Sequence, residues 1–344
     1  MKSKFLKITS IMMAILMMAA SFAGCKSDKK DNVSDLSSAP ISSEAQKTDI
    51  NVSIMKGPTA IGMLKLMSED KNNTADNNYK FQIFTDPTHV SPEIMKGNID
   101  IAAVPTNMAA TLYQKTNKGV SIIAVNTLGV LSILTNGVEI TSVSDLKGKT
   151  IYASGQGSTN EYALNYILEK NGLKVGKDVK VEYKSAHDEL ATAVISGQAD
   201  IAMLPQPFVT NVTMKNKDVK VALDLSEEWS KIPGNENSDL VMGCLIVRNE
   251  LLKNNKAAVD AFLAEYSEST AYANNNISET ALLSDEFGIL PSAVVSKAIP
   301  SCNIVYITGD EMKQKVSAYL TTLYDANPAS IGNVLPDDGF YYAK

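Results

Sequence analysis

Apolar and polar positions follow two different periods along this chain, and the period switches repeatedly. From position 49 onward, apolar runs at 50–55, 81–84, 99–104 and 120–125 have the length of buried strands. Between them, 60–68, 92–96 and 107–115 carry apolar side chains at helical spacing. Strand and helix in turn at this spacing predict parallel strands joined by crossover helices, an α/β fold. Further on, 219–223 reads as a strand and 238–248 as a return strand, and long helices are predicted over 251–274 and 310–326.

The pattern is written twice. Gly97, Asp100, Ile101, Ala102 and Pro105 recur as Gly197, Asp200, Ile201, Ala202 and Pro205, so both stretches read Gly-x-x-Asp-Ile-Ala-x-x-Pro. The same offset aligns Thr59 with Thr159 and brings His187 within two residues of the counterpart of His89. One repeat of this size predicts two lobes. The lobes are expected at 48–135 plus 247–344 and at 136–246, with two chain crossings forming a two-strand hinge for closure around a ligand. Within the repeat, Gly ends a helix, Asp opens a strand and Pro starts the next helix, where its missing N–H costs nothing. The carboxyl ends of strands in open α/β sheets are where ligands bind, which directs attention to the residues around each Pro.

The first residues read as an export address. Lys2, Lys4 and Lys7 precede an apolar stretch at 11–20, about half of the roughly 20 residues needed to span a bilayer. A signal peptide over 1–24 is the better reading. It ends in Phe22, Ala23, Gly24 and Cys25, which resembles the bacterial lipobox although Phe22 stands where Leu is usual. That resemblance implies lipidation of Cys25 and anchoring at the outer face of the cell membrane. Residues 26–47 are polar and read as a flexible tether spanning about 25 Å.

Charge and chemistry narrow the function. The 344 residues suffice for two domains, and a formal net charge of −6 argues against a nucleic-acid partner. Arg248 is the only arginine, so bidentate gripping of a carboxylate or sulfonate has one candidate side chain. There is no HExxH, no Cys/His cluster with zinc spacing and no Gly-x-Ser-x-Gly elbow. Gly155 and Gly157 lack the third glycine of a dinucleotide fingerprint, and Asp188 and Glu189, as neighbours on a helix, would point apart. No catalytic residue, metal or cofactor is expected. Cys244 and Cys302 are read as free, buried thiols.

Residues 55–62, the two Gly-x-x-Asp-Ile-Ala stretches, Gly157-Ser158-Thr159 opening a helix and Val247-Arg248-Asn249-Glu250 resemble the nitrate/sulfonate/taurine-type binding proteins of ABC importers. That family includes binders of thiamin precursors. The resemblance covers about 50–324 and implies a type II periplasmic-binding-protein fold with the ligand in the interlobe cleft. It also implies a monomer that delivers a small molecule to an ABC permease and its ATPase. The alternative is a two-lobed enzyme of thiamin-pyrimidine synthesis, which conflicts with the export signal.

Candidate ligand contacts follow from position. Lys56, Pro58 and Thr59, and likewise Gln156, Ser158 and Thr159, lie where glycine-rich backbone enters a helix, a place suited to negative charge or to simple capping. Asp86, Thr88 and His89 follow one strand end, and Ser185 and His187 follow another. Asn107 and Gln206 come just after the paired prolines, while Trp229 and Tyr152 could supply a stacking face. With so little arginine, a neutral, zwitterionic or aromatic ligand such as a thiamin-type pyrimidine is favoured, with Asp86 or Glu161 pairing any cationic part. A sulfonate held by helix N-termini stays open.

Overall fold

A computed structural model describes residues 47–343 apart from Asn237, so the signal segment, Cys25 and nearly all of the tether lie outside the described residues. Eleven strands form two sheets among the described residues: β1 Asp49–Met55, β2 Asn78–Phe84, β3 Ile101–Pro105, β4 Val120–Thr127, β5 Leu131–Asn136, β6 Thr150–Ser154, β7 Lys180–Lys184, β8 Ile201–Pro205, β9 Val219–Asp224, β10 Gly243–Arg248 and β11 Ile304–Ile307. The first sheet runs β11-β4-β10-β3-β1-β2 and the second β7-β6-β8-β5-β9. Strands β1, β2 and β3 pair parallel, as do β6, β7 and β8, the arrangement that alternating strand and helix requires. Each sheet also takes one central strand in reverse: β10 lies antiparallel between β3 and β4, and β5 antiparallel between β8 and β9.

Those reversed strands are the chain's passages between the sheets, and they move the expected boundaries. The reading that kept the first lobe running to Thr135 differs from the structure, because Leu131 to Thr135 pair with Pro205 to Ile201 in the second sheet. The crossing falls instead at the three residues between β4 and β5. The second crossing falls just before Gly243 and not at Val247, since Gly243 already pairs with Pro105 and Thr127 of the first sheet. The two crossings run side by side, and the Met242 N–H donates to Thr127 O at 3.0 Å.

Helices cover the sheets through their apolar faces. One apolar cluster contains Val104, Ile122, Leu131, Ile151 and Trp229; the other contains Ile50, Ala103, Leu134, Leu190 and Phe208. Each therefore passes from one sheet to the other through the hinge. Two expected helices are interrupted. The stretch at 60–68 becomes Pro58–Ile61 and Leu64–Lys71, and that at 251–274 becomes Asn249–Asn254 and Lys256–Asn275. The second break occurs where Asn255 leaves helical geometry and its side chain caps the Ala258 N–H at 3.1 Å.

The repeated motif serves the backbone. Gly97 and Gly197 both take positive φ, 82° and 74°, where a side chain would be strained. Asp100 accepts from the Asn51 backbone and side-chain amides at 2.9 and 3.0 Å, which fixes β3 against β1. Arg248 is spent here as well: it donates to Gly97 O at 2.7 Å and pairs with Asp100 and Glu250, at the far end of β10 from the cleft.

Candidate functional site

The carboxyl ends of β1, β3 and β4 in one sheet face those of β6 and β8 in the other. Residues from both sheets and both crossings enclose an inner chamber of about 90 Å³. Its walls are mostly apolar: Met55, Pro58, Val104, Pro105, Val130, Pro205, Phe208 and Met242. Lys56, Thr59, Thr127, Ser158, Thr159, Asn160, His187 and Gln206 supply its polar groups. An outer chamber of about 510 Å³, lined by Asp86, Thr88, Gln156, Tyr183, Lys184 and Ser185 among others, shares Pro87, Gly155 and His187 with the inner one. Together they form one stepped cleft.

The hydroxyls are already half used. Thr59 donates to Met55 O at 2.7 Å, Ser158 to Gly155 O at 2.6 Å and Thr159 to Met242 O at 2.9 Å. Their hydrogens are committed, so toward a ligand these groups offer oxygen lone pairs. Gln206 commits its oxygen to Thr210, at 2.8 Å from the hydroxyl, which leaves its amide nitrogen as the donor. Glu161 is occupied too, accepting from the Gly157 N–H at 2.6 Å.

Charge across the cleft is paired. Lys56 of the first lobe meets Asp188 of the second at 2.8 Å, with both side chains partly exposed. Asp86 caps its own turn, accepting from the Thr88 N–H and hydroxyl at 2.8 and 2.7 Å. Glu189 turns away from Asp188 to Ser185, at 2.7 Å from its hydroxyl. His187 is partly accessible as a residue, yet protein crowds its ring. Burial brings the imidazole down from 6.5 to about 4, against the opposing pull of the Asp188 and Asp86 carboxylates. The ring is neutral near pH 7.

Trp229, Asn107, His89, Tyr152 and Glu161 line neither chamber. Trp229 is 1 % exposed on the helix Leu225–Ser230, and its ring packs on Tyr166 and Tyr319. Asn107 is buried and ties the lobes together, donating to Gly157 O at 3.2 Å and Ser330 O at 3.1 Å. His89 is exposed on a short 3₁₀ turn and lines neither chamber. Tyr152, the other stacking candidate, packs partly buried against the apolar core. Lys56, Pro58, Thr59, Ser158, Thr159, His187 and Gln206 come together in the inner chamber, and Asp86, Thr88, Gln156 and Ser185 in the outer.

Sequence reasoning missed the floor. Val130, Met242 and Gly243 come from the two crossings, and Phe208 follows Gln206 by two residues. Below them the Thr127 hydroxyl and both polar atoms of Asn126 are enclosed without a partner among the described residues. Such orphans mark a place for ordered water or ligand. A Cβ at Gly243 would lie 2.6 Å from the Asn126 oxygen. Gly243→Ala is therefore expected to lower stability by about 1–3 kcal/mol in urea titrations. An unchanged midpoint would mean that the Asn126 amide has room to move.

Two α/β lobes joined by paired crossings, with strand ends facing each other over a cleft, define the two-lobed architecture of periplasmic binding proteins. The chain belongs to the NMT1/THI5 like family, whose sequence pattern matches residues 80–280. Among solved structures it is similar to an ABC transporter protein from Parabacteroides distasonis, at 22% identity and TM-score 0.71, covering 87% of this chain and 100% of that one. It is similar as well to the periplasmic aliphatic sulphonate binding protein SsuA from Escherichia coli, at 18% identity and TM-score 0.67, covering 85% and 93%. A third likeness is to the periplasmic nitrate-binding protein NrtA from Synechocystis PCC 6803, at 14% identity and TM-score 0.63, covering 83% and 84%. At these identities the likeness establishes the fold. No curated protein sequence matches the chain. Among the described residues no helix is long and apolar enough to cross a membrane, and no group of His, Cys, Asp and Glu side chains is placed to hold a metal ion.

Proposed function

We propose that this protein captures a small, uncharged or zwitterionic, ring-bearing solute between its lobes and delivers it to an ABC permease and ATPase. It would do so as a monomer outside the cell membrane, held there by lipid on Cys25. The observation that carries the reading is the stepped cleft itself, built from both sheets' carboxyl ends and both crossings. The structural likeness to sulphonate- and nitrate-binding proteins supports the binding role.

The ligand class follows from what the chamber offers. The inner chamber's one lysine, Lys56, is already neutralised by Asp188, Lys184 of the outer chamber lies 3.8 Å from Glu189, and Arg248 is tied up elsewhere. A sulfonate would have to displace that pair or rely on backbone amides alone. Apolar walls with a few hydroxyl acceptors and a neutral imidazole suit a flat polar ring, such as an aminopyrimidine of the thiamin type. The inner chamber is smaller than the roughly 150 Å³ that admits benzene. A ring would therefore extend into the outer chamber or hold the lobes slightly apart.

An enzymatic reading has less support. Cys244 and Cys302 are unpaired and buried, and burial pushes both thiols up to about 12, which leaves neither as a ready nucleophile. Mass spectrometry of small molecules released from the purified protein tests the proposal. The expected result is an unmodified ring compound that, added back at about 100 times its dissociation constant, stabilises the fold by roughly 2.7 kcal/mol. Recovery of a chemically altered product after incubation would overturn the binding role. A bound dianion would overturn the ligand class while leaving the role intact.

A further inference from the structure

One hydrogen-bonded pair has a polarity that the geometry decides: His187 lines the inner chamber, and Ser154 lies sealed behind it. Ser154 ends β6 with 0 % of its surface exposed, and its Oγ lies 2.7 Å from Nδ1 of His187, at the first turn of the helix His187–Ile195. A serine hydroxyl carries one hydrogen, and a buried one needs an acceptor. Among the described residues Nδ1 is the acceptor within reach of that hydroxyl. If Nδ1 carried the imidazole proton, Ser154 would accept it and strand its own hydrogen in a sealed position. The opposite arrangement satisfies both groups: Ser154 O–H donates to Nδ1, and the proton of the neutral ring sits on Nε2.

Nε2 has no protein partner among the described residues, while the residue lines both chambers and its ring rests against Phe208 at 5.2 Å between centroids. We infer that Ser154 is a positioning residue that locks His187 as an Nε2–H donor toward the cleft, so that the ligand atom meeting it is a hydrogen-bond acceptor. A ring nitrogen or carbonyl oxygen fits; an N–H or ammonium group at that point does not. The contrast with the surrounding hydroxyls is direct. Thr59, Ser158 and Thr159 have spent their hydrogens and present acceptors, whereas His187 presents a donor. The cleft would then read a solute with donors on one edge and an acceptor on the other. This deepens the binding role proposed above and rests on it.

The test needs no ligand. In protein labelled with ¹⁵N-histidine there are two imidazoles, and a His89→Gln variant assigns them, since His89 is exposed and outside the cleft. At neutral pH, long-range ¹H–¹⁵N correlation is expected to show His187 as the Nε2–H tautomer, with Nδ1 at the unprotonated shift. Ser154→Ala should abolish that preference and give a mixed pattern, and Ser154→Thr should restore it. A wild-type spectrum showing Nδ1–H overturns the inference, and so does an unchanged tautomer in Ser154→Ala. If either variant fails to fold, the wild-type spectrum alone decides. Failure here leaves the binding role standing, and failure to find any ligand leaves the tautomer result intact.

Discussion

Replacing Trp229 by alanine is expected to destabilise the protein by about 3–5 kcal/mol, the range for emptying a buried aromatic site. Trp229 is 1 % exposed, its ring centroid lies 4.8 Å from Tyr166 and 5.6 Å from Tyr319, and its Nε1–H donates to Ser238 Oγ at 3.0 Å. Tyr166 belongs to the helix Thr159–Lys170 of the second lobe and Tyr319 to Gly309–Ala326, which packs on β4 of the first. The indole is therefore a packing joint between lobes. Trp229→Phe should keep much of the packing and lose the hydrogen bond, for a smaller loss. Because this is the only tryptophan, unfolding of the alanine variant is followed by circular dichroism in urea. A loss below about 1 kcal/mol together with a large drop in ligand affinity would contradict the packing assignment and return Trp229 to the cleft.

The same residue shows where sequence reasoning fails. Glu227, Glu228, Ser230 and Lys231 surround Trp229, and so polar a neighbourhood reads as a loop. The helix there has six residues, too few for an apolar period to emerge, so the fold buries an aromatic whose neighbours give no sign of it. Strand β5 failed for the opposite reason. It follows β4 after three residues and continues its apolar character, so nothing marks the step from one sheet to the other. The glycine of the repeated Gly-x-x-Asp-Ile-Ala-x-x-Pro, by contrast, carries its geometry in its own residue by needing positive φ. The proline expected to start the next helix instead ends a strand, and the helices begin after it, at Thr106 and Phe208.

The site divides along the same line. Thr59 lies within Pro58–Ile61 and bonds back to Met55 O in place of capping, whereas the entry loop Gly157-Ser158-Thr159 is legible because a serine capping the helix after it has a local cause. The floor is not, because Val130 and Met242 acquire their place only when two distant crossings come together. The histidines make the point sharply. His89 and His187 sit at nearly the same place in the repeat, yet one is exposed and the other packs on Phe208 and bonds Ser154. Offset predicts position in the fold; neighbours decide the chemistry.

That environment gives the second large expected effect, a loss of stability in mild acid that His187 causes. Its folded value is about 4 against an ordinary 6.5, because burial disfavours the charged ring more than Asp188 and Asp86 favour it. Between those values the unfolded chain binds the extra proton and the folded one does not, so stability rises with pH across the window. The contribution is complete above 6.5 and disappears as pH falls to about 4. Its size is at most about 3 kcal/mol for a shift of this extent. Lys56 adds no free charge here, since it is bound to Asp188. Opening the lobes would rehydrate the ring, so acid should also favour the separated state and weaken capture. The decisive measurement compares wild type with His187→Gln by urea unfolding from pH 4 to 7. The gap between the two should widen with pH and then level off above about 6.5, while carboxylates common to both proteins cancel. A gap that stays constant across the range would show that the ring titrates normally in the folded protein. The cleft would then be wetter around His187 than the geometry indicates.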